Sequence, residues 1–226
     1  MANQLDATPM TPEADGAGAT GRSRSATQSR LLTAAMDLFT ARGIRDTTVE
    51  DICEHAGFTR GAFYSNFQTK DELFFALYRR ETDAVVSRFG ESIDDVVQVA
   101  APQRAPIEVA IGEIARLSIE FFARDAKWYL LCAEFEAQAM RQPDLRGPVH
   151  DLKARLYDGL AGPLERLLEA YGVRFTIDPL DATHMLAALY ESALQRSLLD
   201  GDANPGAQSY VREVIPKVVA ALLAPA

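Results

Sequence analysis

The sequence predicts an all-α fold, and three observations carry that reading. Apolar residues recur at i, i+3, i+4 and i+7 in one segment after another. The segments are separated by capping residues and by isolated Gly and Pro, with few Gly/Pro clusters after residue 26. Strand-like alternation is confined to Val173–Ile177, too short to change the class.

Residues 1–26 are rich in Ala, Thr, Gly, Ser, Pro and Asp and read as a flexible tail. A first helix is expected from about Thr27 to Arg42, with Leu31, Leu32, Ala35, Leu38 and Phe39 on one face and Gly43 as a left-handed cap. Arg22, Arg24 and Arg30 bracket its start, either as a solvated entry segment or as a basic arm lying along a DNA backbone. Thr47, with Glu50 three residues on, has capping-box spacing for a second helix that turns Val49, Ile52, Cys53 and Ala56 inward. Gly57 supplies the positive φ of a sharp turn. Thr59 then caps a short helix, Arg60 to Phe67, whose Phe63 and Phe67 face inward. Thr69, paired with Glu72, opens a fourth helix from about Lys70 to Phe89.

Beyond residue 90 the pattern is coarser. Helices are expected at about Ile107–Arg124 and Lys127–Arg141, after which Pro143 and Pro148 bracket a turn. The next helix reaches about Tyr171, with Gly162-Pro163 as a kink. Asp178-Pro179 is a cap plus first-turn proline for a helix to Leu199. Gly201–Gly206 is a loop, and the last helix is expected over about Gln208–Leu223, bent at Pro216.

At 226 residues and 48% apolar content the chain can fill one large core or two modest ones. No apolar run approaches the roughly 20 residues needed to cross a bilayer, and the N-terminus carries no apolar signal segment, so a soluble cytoplasmic protein is expected. The net charge of −9 argues against nucleic acid when taken whole, but residues 21–80 hold nine Lys/Arg against seven Asp/Glu. Charge is screened over about 8 Å at physiological salt, so a basic surface is needed only where phosphates lie. Cys53 and Cys132 fall on apolar helical stripes and suit a reducing compartment. His55, His150 and His184 are far apart, without ligand partners at metal spacing. Neither a metal site nor a cofactor is expected.

The stretch TTVEDICEHAGFTRGAFYSNFQTKDELFFAL, Thr47 to Leu77, has the layout of a helix-turn-helix. Its apolar set can lock two helices at a fixed angle. Small residues at the front of the second helix, Thr59, Gly61 and Ala62, let backbone and side chains approach base edges. Thr48, Tyr64 and Lys70 are placed to contact phosphates, Lys70 where a helix start already attracts anions. Arg60 is the best candidate for direct base reading, because a guanidinium can take guanine O6 and N7 together. Ser65 and Asn66 share the outer side, and Asn66 could read adenine. Expected DNA contacts are therefore Thr48, Thr59, Arg60, Gly61, Tyr64, Ser65, Asn66 and Lys70.

Over about Gln28–Leu77, and most tellingly in AGFTRGAFYSNF at Ala56–Phe67 and the KDEL beginning at Lys70, the chain closely resembles the DNA-binding domain of TetR-family transcriptional regulators. The resemblance implies an all-α homodimer with an N-terminal three-helix DNA-binding domain and a C-terminal helical domain that binds a small effector and dimerises. On that plan residues 27–75 read DNA, and residues 76–226 sense and dimerise. Beyond residue 80 only the architecture matches.

In the second half, Trp128, Leu131, Cys132, Phe135 and Ala139 form a stripe that could be core or pocket wall, preceded by Phe121 and Phe122. Glu134, Gln138, His184 and Tyr190 are polar candidates beside it. The expected ligand set is Phe121, Trp128, Leu131, Phe135, Gln138, His184 and Tyr190, facing a greasy or aromatic effector. Ala182, Met185, Leu186, Leu189, Ala193 and Ser197, with Tyr210, Val214, Lys217, Val218 and Leu222, could pair across a dimer or face an internal core. The expected partners are double-stranded DNA with an inverted-repeat operator, a small effector and a second copy of the chain, with no membrane. The expected activity is a repressor released by its effector. The rivals are a DNA-binding regulator controlled by a protein partner or by no ligand, and a helical enzyme using Glu134 and His184, for which no nucleophile or phosphate loop is present.

Overall fold

The computed structural model describes residues 16–100, 106–122, 126–201 and 213–226. Its helices are α1 (Gly16–Arg42), α2 (Val49–Ala56), α3 (Arg60–Tyr64), α4 (Lys70–Ala100), α5 (Ile107–Phe122), α6 (Ala126–Arg141), α7 (Pro143–Ala170), α8 (Pro179–Leu199) and α9 (Ile215–Ala221). Two short strands, β1 (Val173–Phe175) and β2 (Leu223–Pro225), complete the fold.

The helix α1 begins at Gly16 rather than near Thr27. The part of the expected tail before Gly16 lies outside the described residues. Leu31, Leu32, Ala35 and Phe39 form its buried face, and Gly43 (φ 85°) ends it, its N–H bonded to Phe39 O at 2.8 Å. The capping box of α2 sits one residue later than the spacing suggested. Thr48 and Asp51 exchange backbone and side-chain bonds, while Thr47 is buried and donates its hydroxyl to Gly43 O at 2.8 Å. The reason is local: Thr47 completes the preceding turn, so the first helical residue is Val49. Gly57 (φ 69°) closes α2 as a left-handed cap. Thr59 caps α3 through Ala62 N. This helix stops at Tyr64, three residues before the expected end.

Two long helices, α4 and α7, pack against each other more extensively than any other pair among the described residues. Gly159 permits their close approach, since a Cβ there would stand 2.7 Å from both Val86 methyl groups. That packing explains two departures from the sequence pattern. The helix α4 continues past Phe89 to Ala100. The helix α7 starts at Pro143 and runs through Pro148, where a turn was expected, and on through Pro163 to Ala170. An interior proline costs about 3 kcal/mol of helix stability, which burial of Leu152, Leu160, Leu164, Leu167 and Leu168 along the same helix offsets.

Asp178 caps α8 through Leu180 N (2.9 Å) and Asp181 N (3.3 Å), with Pro179 in the first turn as expected. Pro216 lies in the first turn of α9 rather than at a bend, and α9 ends at Ala221. The chain then pairs antiparallel with β1, in the register Val173↔Pro225, Arg174↔Ala224 and Phe175↔Leu223. Residues 208–212 of the expected last helix lie outside the described residues.

Two cores result. The first joins Leu31, Phe39, Ile52, Phe63, Phe67, Phe74 and Leu77 of the N-terminal helices to Leu131 and Phe135 of α6 and Leu152 of α7. The second holds Phe89, Ile93, Ile114, Leu117, Leu164, Leu167, Phe175, Leu186, Tyr190, Ile215 and Val219. The N-terminal helices (the head) therefore share their core with α6 and α7.

Candidate nucleic-acid interface

The helices α2 and α3 are held together by Ile52, Cys53, Ala56, Phe63 and Phe67, all buried. Phe63 meets Phe67 at 5.9 Å and Tyr64 edge-on at 5.3 Å. Burial pushes the Cys53 thiol pKa up, assisted by the Glu50 charge, so the thiol is held protonated in the core.

With its apolar side consumed, α3 leaves Thr59, Arg60, Gly61, Tyr64 and Ser65 exposed, and Thr48 is exposed beside them at the start of α2. A Cβ at Gly61 would meet only Thr59 Oγ1 at 3.7 Å, an ordinary contact. Nothing inside the protein demands glycine there; the missing side chain instead opens the outer face. Tyr64 is half exposed, with its hydroxyphenyl ring outside the core. Ser65 donates its hydroxyl to Ala62 O at 2.9 Å and accepts from Asn66 Nδ2 at 3.3 Å.

Arg60 is exposed but not idle. Its Nη1 is 2.8 Å from Glu50 Oε1 on α2, and its guanidinium carbon lies 6.0 Å from the Tyr64 ring centroid. A base or phosphate must compete with Glu50 for this guanidinium. The sequence reading missed that pairing, although Glu50 lies on the outer side of α2.

Two of the expected contacts are turned inward. Asn66 is half-buried; its Nδ2 donates to Ala62 O at 2.8 Å and its Oδ1 has no hydrogen-bond partner. Lys70 donates its ammonium to Ile44 O at 2.6 Å and Thr47 O at 2.8 Å, tying the start of α4 to the turn between α1 and α2. An ammonium has three N–H groups, so at most one is left for a phosphate.

The arginines of α1 act as braces. Arg30 Nη2 donates to Ala56 O at 2.6 Å, satisfying a carbonyl at the end of α2, and its guanidinium stands 4.5 Å over the Phe58 ring. Arg24 reaches Ser65 O at 3.3 Å. The side chain of Arg22 lies outside the described residues. At the other end of α2, the Thr48 backbone N–H and hydroxyl, with Arg42 at 2.8 Å, hold the Asp51 carboxyl below the usual carboxylate range.

The expected ligand residues are divided: Trp128, Leu131 and Phe135 lie together, while Tyr190, Gln138 and His184 lie elsewhere. Leu131 and Phe135 are buried in the first core, where Phe135 lies tilted against Phe74 at 4.1 Å and meets Phe75 edge-on at 5.2 Å. Trp128 packs beside them against Phe74 and Tyr78. Tyr190 is buried in the second core and bonds Ala115 O at 3.3 Å. Gln138 is half-buried on α6, His184 is exposed on α8, and the side chain of Phe121 lies outside the described residues. Glu134 points at the reading head: its Oε2 accepts from Ile44 N at 3.4 Å and would lie 3.3 Å from a Cβ at Gly43.

In place of that set, α6, α7 and α8 assemble a polar cluster that no single helix spacing announces. Lys153 Nζ is 3.1 Å from Glu136 Oε2, Tyr157 OH donates to Glu191 Oε1 at 3.5 Å, and Tyr157 meets His184 edge-on at 4.4 Å. Burial raises the Glu191 pKa, against the lowering effect of Lys153. Burial opposes the Lys153 charge, but Glu191, Tyr157 and Glu136 outweigh it and raise its pKa. The proposed α8 dimer stripe is also revised: Ala182, Leu186, Ala193 and Ser197 face the interior, while Met185 and Leu199 are exposed. Among the described residues, no group of three His, Cys, Asp or Glu could hold a metal ion, and no helix is long and apolar enough to cross a membrane.

Residues 31–77 match the model of bacterial regulatory proteins of the tetR family. The transcriptional regulator TtgR of Pseudomonas putida is 38% identical over 85 residues, covering 37% of this chain and 40% of the relative. The transcriptional regulator UidR of Escherichia coli K12 is 26% identical over 119 residues, 53% of this chain and 55% of the relative. The chain thus spans about half the length of the curated relatives it matches. Among solved structures, reduced NemR of E. coli superposes with a TM-score of 0.63 at 19% identity, over 88% of this chain and 98% of that one. The regulator FadR of Bacillus subtilis, solved with stearoyl-CoA, gives 0.61 at 15% identity, over 84% and 96%. At those identities the likeness establishes the all-α fold.

Proposed function

We propose, for a chain that belongs to the TetR family of bacterial regulatory proteins, that it acts in the cytoplasm as a homodimeric, sequence-specific transcription regulator, a repressor released from an inverted-repeat operator by a small effector. One observation carries the DNA-binding part. The helix α3 buries Phe63 and offers Thr59, Arg60, Gly61, Tyr64 and Ser65 to solvent, a face with a bidentate donor and no internal reason for its glycine. The test is a footprint on the DNA flanking the gene. A protected inverted repeat supports the reading, and uniform weak binding that vanishes with salt contradicts it.

One such helix reads few bases, so useful affinity requires two related by a dyad. The outward side of α8, with Met185, Ala188, Ser192 and Leu199 at helical spacing, is the face we assign to self-association. Met185 and Leu199 are large apolar groups left in water by the single chain.

Two links support control by the helical half. Leu131, Phe135 and Leu152 share a core with the head, and Glu134 holds the N–H of Ile44 in the α1–α2 turn. A shift of α6 would therefore displace the head as a unit. The FadR complex with stearoyl-CoA is an instance of a large ligand with a long apolar chain and a charged head bound by a protein of this fold. By linkage, an effector that weakens DNA binding is itself weakened by DNA to the same factor. A second reading, regulation without a ligand in the helical half, is favoured by the dispersal of the expected pocket residues between two filled cores. Effector screening by thermal shift separates the two.

A further inference from the structure

We propose that the cleft between the reading head and α7 is a second ligand site, built for a small amphipathic organic anion that carries a hydrogen-bond donor. The cleft is open to solvent and offers about 690 Å³, within the range of about 300–1,000 Å³ that small-molecule sites occupy. Its apolar walls come from both sides of the junction: Phe67 after α3, Phe75 and Ala76 of α4, and Leu152 of α7.

Two polar features define the ligand. The first is the Oδ1 of Asn66, a residue of the cleft lining; the atom is closed off from solvent and has no partner, so an outward turn of the side chain is needed to present it to a ligand. The amide orientation is settled by its other end, because Nδ2 donates to Ala62 O at 2.8 Å and a flipped amide would set two acceptors face to face. A ligand N–H or O–H completes this acceptor. The second is Arg79. Of the other charges on the lining, Arg155 is paired with Asp83 at 2.7 Å and Glu72 accepts from the Gln68 N–H at 2.6 Å, while Asp151 is an exposed carboxylate at the far wall on α7. Arg79 is exposed and makes no ion pair or hydrogen bond among the described residues. It stands one turn beyond Phe75 and Ala76 on the same face of α4, so an anionic group meets it while the apolar body lies on those side chains.

Occupancy would matter to the head. Asn66 and Phe67 follow directly on α3, and Leu152 belongs to α7, so a ligand touching both sides fixes their separation. This site is separate from any pocket inside the helical half. Its binding does not depend on the function proposed above; its effect on DNA does.

The test uses the full chain and 8-anilinonaphthalene-1-sulfonate, whose sulfonate, aromatic body and anilino N–H match the three features. Fluorescence and calorimetric titrations are expected to give one site per chain. Arg79→Glu should weaken it at least tenfold, and Ala76→Trp should abolish it by filling the cleft. Arg88→Glu, the same charge change on an exposed part of α4 outside the cleft, should leave it unchanged. Circular dichroism confirms that each variant is folded. Equal affinity for the native chain and Arg79→Glu, or equal weakening by Arg79→Glu and Arg88→Glu, would overturn the site. Saturating probe should also shift operator affinity severalfold in the native chain and not in Arg79→Glu. Absence of any specific DNA complex would undo the functional reading and leave the binding result standing.

Discussion

At the scale of single residues, the account turns on which charges are free to meet DNA. Arg60 is held by Glu50 at 2.8 Å on an exposed surface, where such pairs are worth at most about 1 kcal/mol. Glu50→Gln should therefore tighten binding to all sequences severalfold, by removing both a competitor and a repelling charge. Arg60→Ala should erase preference at one base pair of each half-site, a loss of about 1–3 kcal/mol in discrimination. Fluorescence anisotropy on a panel of operator variants measures both. Lys70 behaves differently, because its ammonium serves two internal carbonyls. Lys70→Ala should lower stability by about 1–3 kcal/mol as well as DNA affinity, seen as a lower urea midpoint. Glu191 carries a pH prediction. Its pKa is raised in the fold by burial, so the folded state holds its proton more firmly than the unfolded chain does. The stabilisation from that proton is present in acid and is lost as pH rises through the folded pKa. Glu191→Gln keeps an acceptor for Tyr157 and should gain stability relative to the native chain at pH 8 more than at pH 4, by urea titration at both.

At the scale of elements, local chemistry was readable and tertiary choices were not. The Gly43 and Gly57 caps, the Thr59 and Asp178 caps and the inward Phe63 and Phe67 all follow from residues within a turn of each other. Pro148 misleads because the cost it imposes is local, whereas the burial that overrides it comes from α4. The inward turn of Lys70 is equally hidden, since its acceptors lie 23 and 26 residues away. So are the pairing of β1 with β2 and the Lys153–Glu136 cluster, which join distant segments. The stripe at Trp128, Leu131 and Phe135 was visible, but periodicity could not say which partner fills its far side; that partner is the head, through Phe74 and Phe75. The α4–α7 contact offers its own check. Gly159→Ala would place a methyl 2.7 Å from Val86 and force the two helices apart. A loss of about 1–3 kcal/mol is expected from such overpacking, with a lower melting temperature.

At the scale of the whole molecule, the N-terminal helices and the helical half share a core at α6. The shared core and the bond from Ile44 N to Glu134 mean that motion of α6 is felt at the α1–α2 turn, one capped helix away from Arg60. The acidic excess outside residues 21–80 would disfavour adhesion of that part of the chain to DNA. Glu134→Ala should leave the operator affinity of the effector-free protein within a few fold but reduce the difference that an effector makes. The most direct test of the central claim is nuclease footprinting of the flanking DNA with the native chain and Arg60→Ala, alongside sedimentation of the complex. The account predicts a protected inverted repeat bound by paired chains and lost on Arg60→Ala. Protection without symmetry, binding by single chains, or an unchanged footprint with Arg60→Ala would contradict it.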